Sequence, residues 1–301
     1  MSVSPPQERA QVLDFFLAEG RAILAAQTRA LDAVIHDMSM LDPDQERLEL
    51  RIPLLMLQAV GVSIHSVLAL TTTRSMAIRD CFGISRSAVE TAVNEAFICV
   101  TGVDEARRSD RYMRQKRWRD LNREGTIGDL RISTSRDIKQ TVADFPGLQE
   151  ALDEFTDRKG REKRSWTSLS IEERIAAILK VNHKAAIAFG SALFGIYRPA
   201  SELLHGSYYG VNFFWQGSRA KPAKMREEFD ELWSADHFAT LLSCLFFCVT
   251  GAIETVAAVW SLPHHLRSQS ELVQRLGQLL DVMHDTDPDP DDGDKFAARP
   301  R

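Results

Sequence analysis

Residues 197–210, YRPASELLHGSYYG, hold the densest group of side chains in this chain that could carry out chemistry. The stretch supplies a guanidinium, hydroxyls, a carboxylate and an imidazole, on Arg198, Ser201, Glu202, His205 and Tyr208. In a helix the first four of these residues would share one face over two turns, because residues three and four apart are neighbours. The spacing therefore predicts one site in which a cation, a hydroxyl, a carboxylate and an imidazole converge.

A second polar group lies earlier in the chain, on a helix predicted over residues 76–100. Arg86, Glu90 and Asn94 follow one another at spacings of four, beside apolar residues that form a core face. Two interpretations stay open. The three side chains either form an exposed stripe, in which an Arg–Glu pair contributes roughly 0.2–0.5 kcal/mol, or they face an internal polar site in which Glu90 pairs with a cation from elsewhere in the fold.

The spacing of an arginine, six intervening residues and a histidine, Arg198 to His205, is similar to the signature of the HEPN superfamily. RSAVETAVNEAF around Arg86 and Glu90, with RSWTSLSIEERI leading to YRPASELLHGS, also resembles an uncharacterised bacterial all-helical family that is itself HEPN-like. This second resemblance covers roughly residues 78–209. It implies an all-α fold with a HEPN-like core. Many HEPN members are metal-independent RNases of toxin–antitoxin and antiphage defence systems.

The resemblance implies an RNA endonuclease that acts as a homodimer without a cofactor. In that family the site forms at a dimer interface, so two copies of Arg198 and His205 would face each other. His205 would accept the proton of the ribose 2′-hydroxyl, since an imidazole with a pKa near ~6.5 suits this task at neutral pH. The guanidinium of Arg198 would stabilise the phosphorane oxygens. Glu90 or Glu202 would orient the imidazole, and Tyr208 would hold a phosphate.

A function from another class stays open, in which the chain is a non-catalytic helical binding or sensor module. Arg198, Glu90 and Ser201 would then form a buried polar network that fixes helix packing, or the cluster would receive a ligand, and His205 would cap a helix. Geometry separates the alternatives. An Arg198 and a His205 that reach one solvent-accessible cleft near a two-fold axis favour the enzyme, whereas enclosed and hydrogen-bonded side chains favour the structural role.

The elements that must position these residues are helices. Nearly every segment shows the 3.6-residue hydrophobic period of a helix, and no convincing run alternates with the period of two that a strand requires. The sequence predicts a single-domain, all-α bundle of about nine helices over residues 1–284, followed by an acidic, disordered tail over residues 285–301. Ser170 and Glu173 form a capping-box pattern that opens a helix over residues 171–197. Pro199 should end this helix and start the next one. The other helices are predicted over residues 8–38, 44–73, 76–100, 104–124, 135–145, 148–158, 225–260 and 268–284.

The charge distribution limits how the chain could meet a nucleic acid. A net charge of −5 argues against a surface coated in positive charge. Locally, the helix at residues 104–124 has eight basic against five acidic residues, or +3, and the loop at residues 158–164 has five against one, or +4. Each segment is either an ordinary solvated surface or a contact for a polyanion such as RNA.

The chain is expected in the cytoplasm, because its N-terminus lacks the basic start and apolar core of a secretory signal. Its four cysteines, as buried free thiols, fit that compartment. Residues 238–260 are long and apolar enough to span a membrane, but Glu254 and flanks without a basic anchor favour the central buried helix of a bundle, so no stable membrane insertion is expected. No metal or cofactor is predicted. Nucleotide, HExxH and EF-hand motifs are absent, and His264 and His265 are expected to cap a helix end or face solvent.

Overall fold

The computed structural model describes residues 5–44, 46–121, 123–133 and 141–285. Its α-helices are α1 (Pro5–Met40), α2 (Leu48–Leu70), α3 (Ile78–Thr101), α4 (Val103–Leu121), α5 (Leu148–Glu154), α6 (Ile171–Leu179), α7 (His183–His205), α8 (Tyr208–Gln216), α9 (Arg226–Leu232), α10 (Ala239–Val259) and α11 (His265–Asp285). A π-helical turn (Trp233–Phe238) joins α9 to α10. The all-α class predicted from the hydrophobic period is therefore confirmed.

One small hairpin accompanies the helices within the described ranges. β1 (Glu124–Ile127) pairs with β2 (Leu130–Ser133) in antiparallel register, with Gly125 opposite Ile132. Gly128 at the turn has φ +58°, a left-handed conformation that glycine adopts without steric cost. The sequence indicated a turn here but no strands, because two short strands carry too little alternating pattern to be recognised.

α10 lies at the centre of the bundle, where it packs on α3, α7 and α1. It is buried on nearly all sides, as Leu241, Cys244 and Phe246, which point in different directions, illustrate. Its contact with α7 is close at Gly251, where an added Cβ would lie 2.9 Å from the ring of Phe189. This central helix gives α7 a rigid surface along which to lie.

Within the described ranges two helices are long and apolar enough to cross a membrane by length and composition, Leu48–Leu70 and Arg226–Val259. The apolar window of the second is 72% buried inside the fold, whereas that of the first is 39% buried. The burial of the second is what a central bundle helix requires. α2 packs on α1 and α3 with one side and exposes Leu55 and Val62 on the other.

The helix expected over residues 171–197 is in fact two helices, α6 and α7. Asn182 separates them and caps α7, because its side-chain oxygen accepts a hydrogen bond from the Ala185 N–H at 3.1 Å. The amide of Asn182 also donates to the backbone carbonyl of Glu254 at 2.9 Å. A contact with α10, distant in sequence, thus helps to place the break.

The break expected at Pro199 is absent, because α7 continues through the proline to His205. Ile196 and Leu203, before and after the proline, are both buried in the core. Burial of an aliphatic side chain is worth about 1.5–3 kcal/mol, and a proline inside a helix costs about 3 kcal/mol. Packing on both sides of Pro199 therefore keeps the helix whole against its local preference.

Two expectations fall largely outside the described residues. Of the tail expected over residues 285–301, residues 286–301 are outside them. Of the helix expected over residues 135–145, residues 135–140 are outside them. In the described part of that second segment, a 3-10 turn (Val142–Asp144) replaces an α-helix.

Candidate functional site

The stretch 197–210 lies on α7 and at the corner where the chain turns from α7 into α8. Gly206 ends α7 with φ +65°, a left-handed conformation. Ser207 then caps α8, since its hydroxyl oxygen accepts from the Gly210 N–H at 3.1 Å. An added Cβ at Gly210 would lie 2.4 Å from the carbonyl oxygen of Glu202, so only glycine allows this approach. The corner thereby fixes the end of α7.

Glu202 belongs to this corner. Its carboxylate accepts a hydrogen bond from the Ser207 hydroxyl. No contact in the described part of the chain joins Glu202 to His205, whose side chain is exposed at the last position of α7. Glu202 therefore holds the turn and does not orient the imidazole.

Arg198 and His205 share one exposed face of α7, two helical turns apart. The guanidinium carbon of Arg198 lies 5.5 Å from the centroid of the Tyr209 ring, a cation–π distance. Among the described residues, neither Arg198 nor His205 forms an ion pair. Both groups are therefore open to solvent and to a substrate.

The two residues belong to an exposed stripe along α7, here called the α7 stripe, which consists of Ile187, Ser191, Phe194, Arg198, Ser201 and His205. Spacings that alternate between four and three residues keep its members on one face. Phe194 is 93% exposed, and Leu204 and Tyr208 beside the C-terminal end of the stripe are 61% and 85% exposed. Large apolar groups clustered in water are typical of an interaction surface.

A second group of polar side chains lies between α3, α6 and α7. This inner cluster consists of Arg86, Glu90, Asn94, Arg174 and Tyr197. Arg86 Nη2 donates to Glu90 Oε1 at 3.3 Å, and the guanidinium carbon of Arg86 lies 4.6 Å from the ring centroid of Tyr197. Arg86 Nε has no hydrogen-bond partner among the described residues. The cluster ties α3 to α7 at the residue that precedes Arg198.

Arg174 brings a second guanidinium into the inner cluster, from α6. Its Nη1 donates to Asn94 Oδ1, and its Nε donates to the Ser170 carbonyl at 3.2 Å. Burial lowers the pKa of Arg174 below its usual value, and the charge of Glu90 opposes that shift. A capping box between Ser170 and Glu173 fixes the start of α6 and so the place of Arg174.

The structure keeps Arg198 apart from the inner cluster, although the sequence analysis considered one network of Arg198 with Glu90. Arg86 pairs with Glu90, as the exposed-stripe interpretation expected, and also lies on the ring of Tyr197. Asn94, and not Glu90, accepts a hydrogen bond from a cation of another helix, Arg174. Arg198 is exposed. A buried network of Arg198 with Glu90, which the structural alternative required, is therefore not formed.

Two side chains of the inner cluster, Tyr197 and Arg174, were missed. Tyr197 and Tyr209 stand near the two ends of the stretch, and each receives a guanidinium on its ring. Arg174 follows the capping box directly, and that box was the local signal that could have drawn attention to it. Its partner on α3 could not be read from the sequence, because eighty residues separate the two.

The basic segments are paired with carboxylates. Arg111 Nε on α4 lies 2.6 Å from Glu154 Oε2, and Lys116 Nζ lies 2.6 Å from Glu162 Oε1 in the loop at residues 158–164. These partners neutralise part of the local positive charge. The pairing therefore favours a solvated surface over an RNA contact for α4.

One family emerges from comparison with known proteins. Residues 52–221 match DUF5677, a family of unknown function. The match covers more than half of the chain and includes α3, α6, α7 and α8, which carry the α7 stripe and the inner cluster. No curated protein and no solved structure matches the chain.

Proposed function

The chain belongs to DUF5677, a family of unknown function, and we propose that it is a HEPN-like, metal-independent RNA endonuclease. His205 is its general base and Arg198 its phosphate-binding cation. The observation that carries this function is the placement of both groups on one exposed face of an uninterrupted helix, open to a polymeric substrate. The resemblance of the Arg–His spacing to HEPN RNases supplies the reaction, and it also suggests a role in defence.

The chemistry uses the ribose as its own nucleophile. His205 takes the proton of the 2′-hydroxyl, and the oxygen attacks the neighbouring phosphorus. The 5′-oxygen leaves and takes a proton from water, which yields a 2′,3′-cyclic phosphate and a 5′-hydroxyl. The guanidinium of Arg198 stabilises the extra negative charge on the phosphorane oxygens.

A second copy of the chain completes this site. His205 lies seven positions after Arg198, which places their backbones about 10 Å apart along the helix axis. If two copies cross antiparallel at their α7 stripes, His205 of one copy meets Arg198 of the partner subunit. Ser201 lies midway between the two residues, and its small, half-buried side chain lets the helices approach.

The exposed apolar side chains on and beside the α7 stripe supply the surface area that two copies would bury against each other. Phe194 and Leu204 flank Arg198 and Ser201 along α7, and Tyr208 extends the patch onto α8. Their transfer from water is favourable at about 25 cal/mol per Å². The α7 stripe contains no acidic residue, and Arg198 gives it a positive charge for the phosphate of an RNA strand.

The test is incubation of untagged protein with single-stranded RNA in EDTA. Wild type and His183→Ala, which removes an exposed histidine from the other end of α7, should form 2′,3′-cyclic phosphate ends. His205→Ala and Arg198→Ala should cleave at least about 100-fold more slowly. Equal RNA profiles for wild type, the variants and buffer would reject the nuclease.

The inner cluster favours a second candidate function, a non-catalytic module that binds a small anion. Arg86 and Arg174 bring two guanidinium groups near the carboxylate of Glu90, the exposed Glu172 also acts on Arg174, and Arg174 is half-buried. Calorimetry with inorganic phosphate and nucleoside phosphates tests this function. Binding that Arg174→Met removes and Arg107→Met, on the exposed face of α4, preserves would support the module. Absence of binding by the folded wild type would exclude it for these anions.

A further inference from the structure

Three side chains of the kind that bind metals meet where the last turn of α1 approaches the start of α11. Asp37 Oδ2 lies 2.8 Å from His264 Nε2 and 3.0 Å from His265 Nε2. One ligand atom from each residue lies within 4.8 Å of the others, and this is the one such group found among the described residues. The two imidazole rings are 4.1 Å apart between centroids.

We infer that Asp37, His264 and His265 bind a first-row divalent transition-metal ion. Two imidazole nitrogens with one carboxylate suit Zn²⁺, Co²⁺, Ni²⁺ or Fe²⁺, whereas Mg²⁺ and Ca²⁺ prefer oxygen ligands throughout. Ligand atoms at tetrahedral angles around an ion, each about 2.1 Å from it, lie about 3.4 Å from each other. The two N–O distances at Asp37, 2.8 and 3.0 Å, are hydrogen-bond lengths that would widen by only about 0.5 Å to admit an ion.

The three side chains of the site differ in their exposure to solvent. The side chain of His265 is 10% exposed, that of Asp37 is 35% exposed and that of His264 is 60% exposed. An ion would therefore be bound on its inner side by the buried imidazole of His265. Its outer side would stay accessible to solvent, and water molecules would supply the remaining ligands. This arrangement permits entry from solvent without an opening of the core.

A buried amide one helical turn along α11 also supports a metal site here. Gln269 lies one helical turn after His265 on the buried side of α11 and is 2% exposed. Neither its Oε1 nor its Nε2 has a hydrogen-bond partner in the described part of the chain, a costly state for a buried amide. A metal-bound water near this turn would supply such a partner.

The ion would fasten the C-terminal helix to the bundle. α11 packs along α1, and Arg275 pairs with Glu19 farther along the contact. A ligand that binds only the folded chain stabilises it in proportion to the logarithm of its concentration. Binding at this site would therefore raise the melting temperature. It is independent of the proposed nuclease, which needs no metal.

The test uses untagged full-length protein that has been treated with a chelator and then titrated with Zn²⁺ or Co²⁺. We expect one ion per chain, a Co²⁺ absorption band and a higher melting temperature. His264→Ala and Asp37→Asn should weaken binding by more than about tenfold. Asp37→Asn keeps an oxygen that accepts hydrogen bonds, so it separates metal binding from a simple hydrogen-bonded cluster. Circular dichroism checks that each variant is folded.

The matched control is His36→Ala, which removes an exposed histidine next to Asp37 that does not belong to the three-residue group. It should bind as wild type does. Equal affinities for wild type, His264→Ala and Asp37→Asn would overturn the inference, and so would a folded wild type that binds neither ion.

Discussion

The guanidinium carbon of Arg86 lies 4.6 Å from the ring centroid of Tyr197, which joins the polar side of α3 to α7 one residue before Arg198. The pair is partly shielded, with 21% of the Arg86 side chain exposed. Cation–π contacts gain strength when water is excluded from them. This contact therefore helps to set where the exposed face of α7 stands relative to the core.

Loss of this contact should lower the free energy of unfolding. Arg86→Met and Tyr197→Leu are each expected to destabilise the chain, with a coupling energy of about 0.5–2 kcal/mol in a double-mutant cycle. Urea denaturation measures it. Arg107→Met is the control, because Arg107 is 59% exposed and its pair with Asp104 spans 3.8 Å. A coupling energy near zero would mean that the contact does not tie the two helices.

The corner between α7 and α8 should tolerate no side chain at Gly210. Gly210→Ala would push a Cβ against the Glu202 carbonyl and should cost about 1–3 kcal/mol by overpacking. Gly277→Ala on α11 is the matched control, since nothing lies within 4 Å of its added Cβ. That variant should be neutral or stabilising, because alanine favours a helix over glycine. Thermal melts of the two variants give the comparison, and equal losses would contradict the assigned close approach.

Stability should fall as the pH rises, because of Glu95 on α3. Glu95 is fully buried, its Oε1 accepts from the Cys99 thiol at 3.1 Å, and burial raises its pKa from 4.5 to about 8. The folded chain then holds a proton that the unfolded chain releases above pH 4.5. The stability from this group is full below about pH 4.5 and is lost progressively up to about pH 8. The shift sets an upper limit of about 5 kcal/mol on that loss.

Glu95→Gln tests this pH dependence, since the amide keeps the shape of the acid and does not ionise. The free energy of unfolding should change less between pH 5 and pH 8 in this variant than in wild type. Glu90→Gln, at a carboxylate with 39% side-chain exposure, should retain the wild-type slope. An unchanged slope in Glu95→Gln would assign the pH dependence to other groups.

The proposed site makes a sharp prediction about mixed dimers. If His205 of one copy works with Arg198 of the partner subunit, a dimer of His205→Ala with Arg198→Ala contains one intact site. Unfolding and refolding the two inactive variants together should then restore about a quarter of wild-type cleavage, since half of the dimers are mixed. No recovery from folded mixed dimers would contradict a site shared between copies.

The exposed phenylalanine of the α7 stripe should control assembly. Phe194→Asp places a charge within the apolar contact and should convert a dimer into a folded monomer without cleavage activity. Leu179→Asp is the control, because Leu179 is an exposed leucine at the end of α6. Sedimentation velocity measures the change. A dimer that persists in Phe194→Asp would place the interface on another surface.

Local rules predicted much of this fold. The hydrophobic period indicated helices because each helical turn repeats every 3.6 residues whatever lies around it. The pattern of Ser170 and Glu173 marked the start of α6 because both groups act within one turn. Arg198 and His205 could be selected for the same reason, since their spacing alone places them on one side of a helix.

Tertiary packing decided the rest. Pro199 stays inside α7 because buried residues on both sides hold the helix, a balance of energies that no local pattern contains. His264 and His265 looked like a helix end in the sequence, and only the fold brings Asp37 to them across more than two hundred residues. The sequence by itself thus determined the class of fold and the chemical groups on α7. Which groups meet was decided in three dimensions, because side-chain contacts depend on how distant helices pack.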